Sequence, residues 1–226
     1  MRTGETYLSI LDNVYSAAER LKNVCVRTPL AVNNNLSTVY NAKISFKRED
    51  LQRVRSYKIR GAYNKMATMS QEELSRGVVC ASAGNHAQGV AFACNSMKVK
   101  GTIFMPLPTP GQKLEQVKMF GGNDIEVILF GDTFDEAKDA AMRFCNEKDG
   151  IFIHPFDDPA IIEGQATTAL EILEQAEEPI DYLFVPIGGG GLAAGICSVF
   201  HELSPHTKII GVEPSAAASM KKALEN

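Results

Sequence analysis

From Gly77 onward the chain alternates short apolar runs with amphipathic stretches, at a pitch that few architectures accept. Val78 to Ala81 reads as a buried strand, followed by a glycine-containing turn at Gly84 and a helix from near His86 to Met97. Thr102 to Met105 is a second strand, with a helix after Pro110 that ends at Gly121 and Gly122. Glu126 to Leu129 is a third, leading to a helix over Thr133 to Asn146. Gly150 to Ile153 is short and extended, Pro155 through Pro159 is an irregular linker, and a long helix runs from about Ala160 to Gln175. An apolar strand at Tyr182 to Ile187, a turn at Gly188 to Gly191, a helix over Leu192 to Leu203 and a strand at Lys208 to Val212 complete the series. This spacing predicts an α/β fold in which helices wind onto both faces of parallel sheets.

The residues before Gly77 carry other signals. Ile10, Val14, Ala17, Ala18 and Leu21 fall at helical spacing within Thr6 to Leu21, and Thr28-Pro29 stops that pattern. Alternation from Ala42 to Lys47 suggests a strand that delivers the charged corner Arg48-Glu49-Asp50. A helix follows from Lys58 to about Met69, and Ser70-Gln71-Glu72-Glu73 has the letters of a further helix start.

Composition narrows the function classes. The chain has 226 residues, 45% hydrophobic and 22% charged, with a net charge of -4, as in an ordinary soluble globular protein. Nothing in that balance attracts nucleic acid or an anionic membrane, so the expected partners are small molecules or further copies of the chain. Met1 to Thr6 shows no export signal. Tyr182 to Phe200 lacks charge for nineteen residues, which would also suit a membrane span, but Pro186 and four glycines break it into strand, loop and helix. Five scattered cysteines form no Cys-x-x-Cys pair and read as core residues of a reducing compartment, which points to the cytoplasm. Four histidines show no metal-binding spacing, so no metal site is expected.

Three stretches carry chemistry. In Ser56-Tyr57-Lys58-Ile59-Arg60-Gly61-Ala62, Lys58 sits between an aromatic and an aliphatic neighbour. An ammonium among apolar groups loses solvation, its pKa falls, and the free amine becomes a nucleophile for carbonyl carbon. A solvated helix lysine with its stem laid on apolar surface fits the same letters. The second stretch, Ser82-Ala83-Gly84-Asn85-His86, falls between a strand and a helix, where backbone N–H groups favour an anion such as a carboxylate. Capping of that helix by Ser82 or Asn85 is the other reading, with His86 structural. The third is Gly188-Gly189-Gly190-Gly191-Leu192, also between strand and helix, where residues without Cβ let backbone amides approach a phosphate. Gly188-x-Gly190-x-x-Ala193, with Glu213 ending the next strand, equally satisfies the dinucleotide fingerprint of a nicotinamide oxidoreductase.

A ligand with an aldehyde, a ring hydroxyl and one phosphate would use all three stretches. Together they resemble the signatures of the tryptophan-synthase-like (fold type II) pyridoxal phosphate enzymes, in matching order over essentially the whole chain, and within that family the threonine dehydratases. The resemblance implies pyridoxal 5'-phosphate as cofactor. Lys58 would form the Schiff base, Tyr57 would pack beside the ring, and Asn85 would bond the ring hydroxyl. Gly188, Gly189, Gly190, Gly191 and Leu192 would hold the phosphate, and Ser82, Ala83, Gly84, Asn85 and His86 would receive the substrate carboxylate. The reaction it implies is α,β-elimination of water from L-threonine, or L-serine, to a 2-oxo acid and ammonia, with 2-oxobutanoate leading into isoleucine biosynthesis.

Ala83 stands where racemases of this family carry a hydroxyl, which favours elimination over racemisation. Glu213 is followed six residues later by Ser219, where cation-binding relatives have Asp, so that cation site is not expected. The resemblance further implies a large domain of residues 1–76 plus 155–226, a small mobile domain of residues 77–154, and dimers or tetramers at full length. Relatives continue past Asn226, so a chain cut short in its large domain, and inactive for that reason, is a further reading.

Overall fold

The computed structural model describes residues 8–225; Met1 to Tyr7, with the start of the expected first helix, and Asn226 lie outside the described residues. α1 (Leu8–Leu21) buries Val14, Ala17 and Leu21 along one face, the spacing read from the sequence. β1 (Leu30–Val32) pairs antiparallel with β2 (Ser45–Lys47), Ala31 opposite Phe46. Between them α2 (Asn34–Tyr40) starts on Asn33, whose side chain accepts from the Leu36 amide at 2.9 Å. β1 and α2 were not foreseen. The strand expected from Ala42 is shorter because the Ile44 amide donates to Ser37 Oγ at 2.9 Å, outside the β1–β2 pairing.

α3 (Lys58–Ala67) and α4 (Gln71–Ser75) follow a short 3-10 turn at Glu49–Leu51. α4 has the capping box that its letters announced: the Glu73 amide donates to Ser70 Oγ at 3.2 Å and the Ser70 amide to Glu73 Oε2 at 2.7 Å.

β3 (Val78–Ala81), α5 (Asn85–Met97), β4 (Gly101–Met105), α6 (Gly111–Gly121), β5 (Ile125–Leu129), α7 (Phe134–Glu147) and β6 (Ile151–Phe152) build one parallel sheet in the order β5-β4-β3-β6. Its strands alternate as a sheet covered twice must. Val78, Cys80 and Ile103 pack with α5 and α6 on one face, while Val79, Ala81 and Phe104 pack with Ala140, Ala141 and Cys145 of α7 on the other. Ala62 and Met66 of α3 join the first of these cores.

α8 (Pro159–Gln175) starts on Asp158, whose carboxylate accepts from the Ala160 and Ile161 amides, with Pro159 in the first turn. β7 (Tyr182–Pro186), α9 (Gly191–Leu203) and β8 (Lys208–Val212) form a parallel two-stranded unit, and α10 (Ser219–Glu225) follows a 3-10 turn at Ser215–Ala217. Helices cover one face of this pair, where Val185 packs with α1, α8 and α9. Tyr182, Phe184, Ile210 and Val212 on the other are exposed, so the expected cover on both faces holds for the first sheet alone.

Close crossings carry α3 between the two cores. A Cβ at Gly164 would stand 2.5 Å from the Arg60 carbonyl oxygen, and one at Gly61 would stand 2.4 Å from the Gln165 side-chain nitrogen, so α3 and α8 meet nearer than larger residues permit. One at Gly89 of α5 would lie 3.0 Å from the Lys58 carbonyl oxygen. Three helices are therefore locked around the start of α3.

The alternation along β7 gives a direct contrast. Val185 is 1% exposed and Phe184 65%. Val185→Ala is expected to cost about 2 kcal/mol, and Phe184→Ser to stay within about 0.5 kcal/mol, as measured by urea unfolding midpoints.

Candidate active site

Lys58 opens α3 with its amine turned inward. Nζ donates to the Pro155 carbonyl at 2.6 Å and lies 5.6 Å from the centre of the Tyr57 ring. Loss of water pushes the amine down to about 8. The solvated-lysine reading of this position does not hold.

Two residues along, Arg60 is 1% exposed and anchors the helix. Its guanidinium grips both Glu49 oxygens, at 2.9 and 2.8 Å, and donates to Glu171 at 2.7 Å and Thr167 Oγ1 at 3.1 Å. Lys47 bonds Glu171 from the other side, together with the Thr28 carbonyl and Gln175, while Thr28 Oγ1 donates to Glu49. Burial works against the charge on Glu49, yet the bonded guanidinium and the Thr28 hydroxyl outweigh it and hold its carboxyl below the usual range. Two buried cations and two carboxylates thus tie β2, α3 and α8 together beneath Lys58.

Across from Lys58 the glycine run opens α9. Its first amides have no partner inside the helix. A Cβ on Gly189 would stand 2.2 Å from the Phe156 ring, and one on Gly191 would stand 2.6 Å from the Phe156 carbonyl oxygen. Gly190 has φ +88, in the left-handed region. Gly188 faces open space, so close approach does not require glycine there. Tyr57, Lys58, Pro155, Phe156, Gln165, Pro186 and Gly188 to Leu192 line one narrow cleft. A larger groove on the outer side of α9 gathers His201 and Cys197 but no comparable set of amine and free amides.

The Ser82–His86 turn is not part of the lining of that cleft. Gly84 occupies the N-cap of α5, and Ser82 Oγ accepts from the Gly84 amide at 3.1 Å, so neither Ser82 nor Asn85 caps the helix. Asn85 is the first helical residue and is exposed. His86 turns inward, its Nε2–H donating to the Ile153 carbonyl at 2.9 Å, and burial holds the ring neutral with a pKa of about 3. Gly89, one turn on from Asn85, brings this helix against the Lys58 carbonyl.

Several contributors escaped sequence reasoning. Pro155 and Phe156 passed as an irregular linker, although two ring residues flanked by His154 and Asp157 mark a shaped turn. Gln165 and Glu171 fall among the apolar positions of α8 that face the core, a signal of polar partners there. Gln165 Oε1 is buried without a hydrogen-bond partner at the cleft wall.

Comparison with known proteins fits this geometry. The pattern of the family described as "Pyridoxal-phosphate dependent enzyme" matches residues 21–226. The chain belongs to that family. It is 53% identical over 213 residues to the biosynthetic L-threonine dehydratase of Lactococcus lactis, covering 93% of this chain and 51% of that protein. With the Bacillus subtilis protein of the same name it shares 49% identity over 215 residues, 95% of this chain and 51% of that one. The chain therefore spans about half the length of the curated relatives it matches. Among solved structures, the processed form of tomato (Solanum lycopersicum) threonine deaminase isoform 2 superposes with a TM-score of 0.92 at 43% identity, over 98% of this chain and 64% of the other. Maize serine racemase gives 0.89 at 33% identity, over 95% and 65%.

The cleft fits the family's cofactor: an inward amine for its aldehyde, and for its phosphate the unpaired first amides of α9, beside Gly188 where a Cβ would meet only open space. The nicotinamide reading is corrected by the family, and Glu213 is already engaged, accepting from the Met220 amide at 2.8 Å and the Lys221 amide at 3.0 Å. Among the described residues no group of His, Cys, Asp and Glu is placed to hold a metal, and no helix is long and apolar enough to cross a membrane.

Arg60→Met leaves Glu49 and Glu171 buried without their partner and is expected to cost about 3–5 kcal/mol in urea unfolding. His86 makes stability acid-sensitive. Its folded form refuses the proton that the unfolded chain takes up near pH 6.5, so its contribution is whole above that pH and is lost as pH falls toward about 3. The steepest loss is about 1.4 kcal/mol per pH unit. His86→Gln, which keeps a donor for Ile153, should flatten the acid limb relative to the parent when midpoints are compared between pH 7 and 4.

Proposed function

We propose that the chain takes part in pyridoxal phosphate-dependent deamination of L-threonine, or L-serine, to a 2-oxo acid and ammonia. With threonine the product is 2-oxobutanoate, at the first step of isoleucine biosynthesis. The observation that carries this reading is one amine, held inward with a pKa near 8, facing the free amides of the Gly188–Leu192 turn across a single cleft.

Lys58 would hold the cofactor covalently, Gly188 to Leu192 would bind its phosphate, Tyr57 would lie along its ring, and Asn85 would bond its ring hydroxyl. Bound there, the cofactor supplies a sink for the charge left when the substrate's α-proton is removed. The chain's own groups do the rest. Once the substrate's amine displaces it, the freed Lys58 amine, its basicity lowered by burial, can take the α-proton and return it later. The Ser82 hydroxyl and the turn through Gly84 to His86 receive the substrate carboxylate. Ala83 offers a methyl group and no proton to the opposite face, which leaves loss of the β-hydroxyl as the outcome.

Residues 77–154 then act as the smaller, mobile domain, with residues 1–76 and 155–226 as part of the larger. The four-stranded sheet, whose strands all lie within residues 78–152, supports that division, although Ala62, Met66 and Ile161 from outside it share its core. A cytoplasmic setting and assembly as dimers or tetramers belong to the same reading.

The purified chain, mixed with pyridoxal phosphate and treated with borohydride, is expected to give one modified peptide carrying Lys58. Lys58→Ala should abolish that adduct and lower threonine turnover at least about a thousandfold. An adduct mapped to another lysine, or full turnover by Lys58→Ala, would overturn the assignment.

A further inference from the structure

Between β6 and α8 the backbone makes a turn whose shape is set by one imidazole. His154 Nδ1 accepts the Asp157 amide at 2.7 Å and the Phe156 amide at 3.3 Å, as an Asn or Asp oxygen does in an Asx-turn. A ring nitrogen that accepts is unprotonated, so the neutral ring carries its hydrogen on Nε2. The ring also meets Phe156 edge-on, 4.7 Å between centres.

That turn serves both sides of the cleft. Its Pro155 carbonyl takes the Lys58 amine at 2.6 Å, and its Phe156 ring and carbonyl are what a Cβ on Gly189 or Gly191 would strike. We propose that His154 is a positioning residue for this site: its Nδ1 lone pair holds the turn that seats the Lys58 amine and walls the glycine loop, and protonation of the ring releases both together. The inference rests on the functional reading of the cleft given above.

The chemistry of release is local. Protonation puts a hydrogen on Nδ1 where two N–H groups already point, and neither bond survives. Burial is the largest influence on the ring and disfavours its charged form; Lys138 from α7 and Lys58 from α3 act the same way, and His86 from α5 lies within electrostatic reach. Asp157 and Asp158, on the turn itself, oppose them, and the net effect is a pKa below 6.5. The turn is therefore intact above that pH and loosens as pH falls through the ring's titration.

Two variants separate the lone pair from mere packing. His154→Asn keeps a short acceptor that does not titrate, and His154→Leu removes it. Cofactor dissociation constants are measured by equilibrium dialysis of pyridoxal phosphate from pH 8 to pH 5. The titration of Lys58 is common to all the proteins, so the ratio of parent to His154→Asn isolates the imidazole. That ratio is expected near unity at pH 8, rising to roughly tenfold by pH 5, while His154→Leu binds roughly tenfold more weakly already at pH 8. On the cofactor-free parent, nitrogen-15 spectra should show Nδ1 as the unprotonated ring nitrogen, and amide exchange at Phe156 and Asp157 should quicken in His154→Leu but not in His154→Asn.

A ratio that stays flat with pH, a hydrogen on Nδ1 of the neutral ring, or unchanged exchange in His154→Leu would each overturn the proposal. If the parent takes up no cofactor at any pH, the functional reading fails by itself. The spectra and exchange rates then still decide whether His154 shapes the turn.

Discussion

The guanidinium of Arg60, closed off from water and shared between Glu49 and Glu171, sets the terms for the rest of the molecule. A buried charge of this kind persists only with its partners in place, and those partners come from the turn after β2 and from the middle of α8. Buried ion pairs in general add little stability relative to well-packed apolar residues of similar volume. What this network adds is registry: α3 has one position along α8 in which every charge is answered. Gly61 and Gly164 make the matching contact in the backbone, where larger residues would push the helices apart.

Fixing α3 fixes the environment of Lys58. Its amine reaches the Pro155 carbonyl because the first turn of α3 cannot slide, and it loses water because Tyr57 and the Phe156 turn close around it. The depressed basicity of this lysine is thus a product of packing several residues away. The same turn presses on Gly189 and Gly191, so the amine and the free amides of α9 are held by one piece of backbone. Two sites far apart in sequence become one cleft through residues 153–158.

The arrangement also explains how two sheets act as a unit. The four-stranded sheet has its own core on each face, and the β7–β8 pair packs mainly against α1, α8 and α9, with Ile161 of α8 also reaching the first core. α3 lies between them, sending Ala62 and Met66 into the first core while Arg60 reaches α8. With α8, the helix that carries the reactive amine is one of the two that join the sheets.

Local sequence was enough for the strand–helix series, because period-2 and period-3.6 patterns, a capping residue such as Ser70, and glycine breaks act over a few residues. Lys208 to Val212 appears as written, and most other boundaries differ by one or two positions. Residue types alone also singled out Lys58 and the Gly188–Leu192 turn. Tertiary structure alone decided that Gly84 and not Asn85 caps α5, that His86 is committed to Ile153, that Glu49 and Glu171 share one arginine, and that the supposed linker at Pro155 is a wall of the cleft. Each of these depends on which distant group arrives to accept a hydrogen bond or exclude water. Such meetings are fixed by the packing of whole elements, and no short window of sequence contains them.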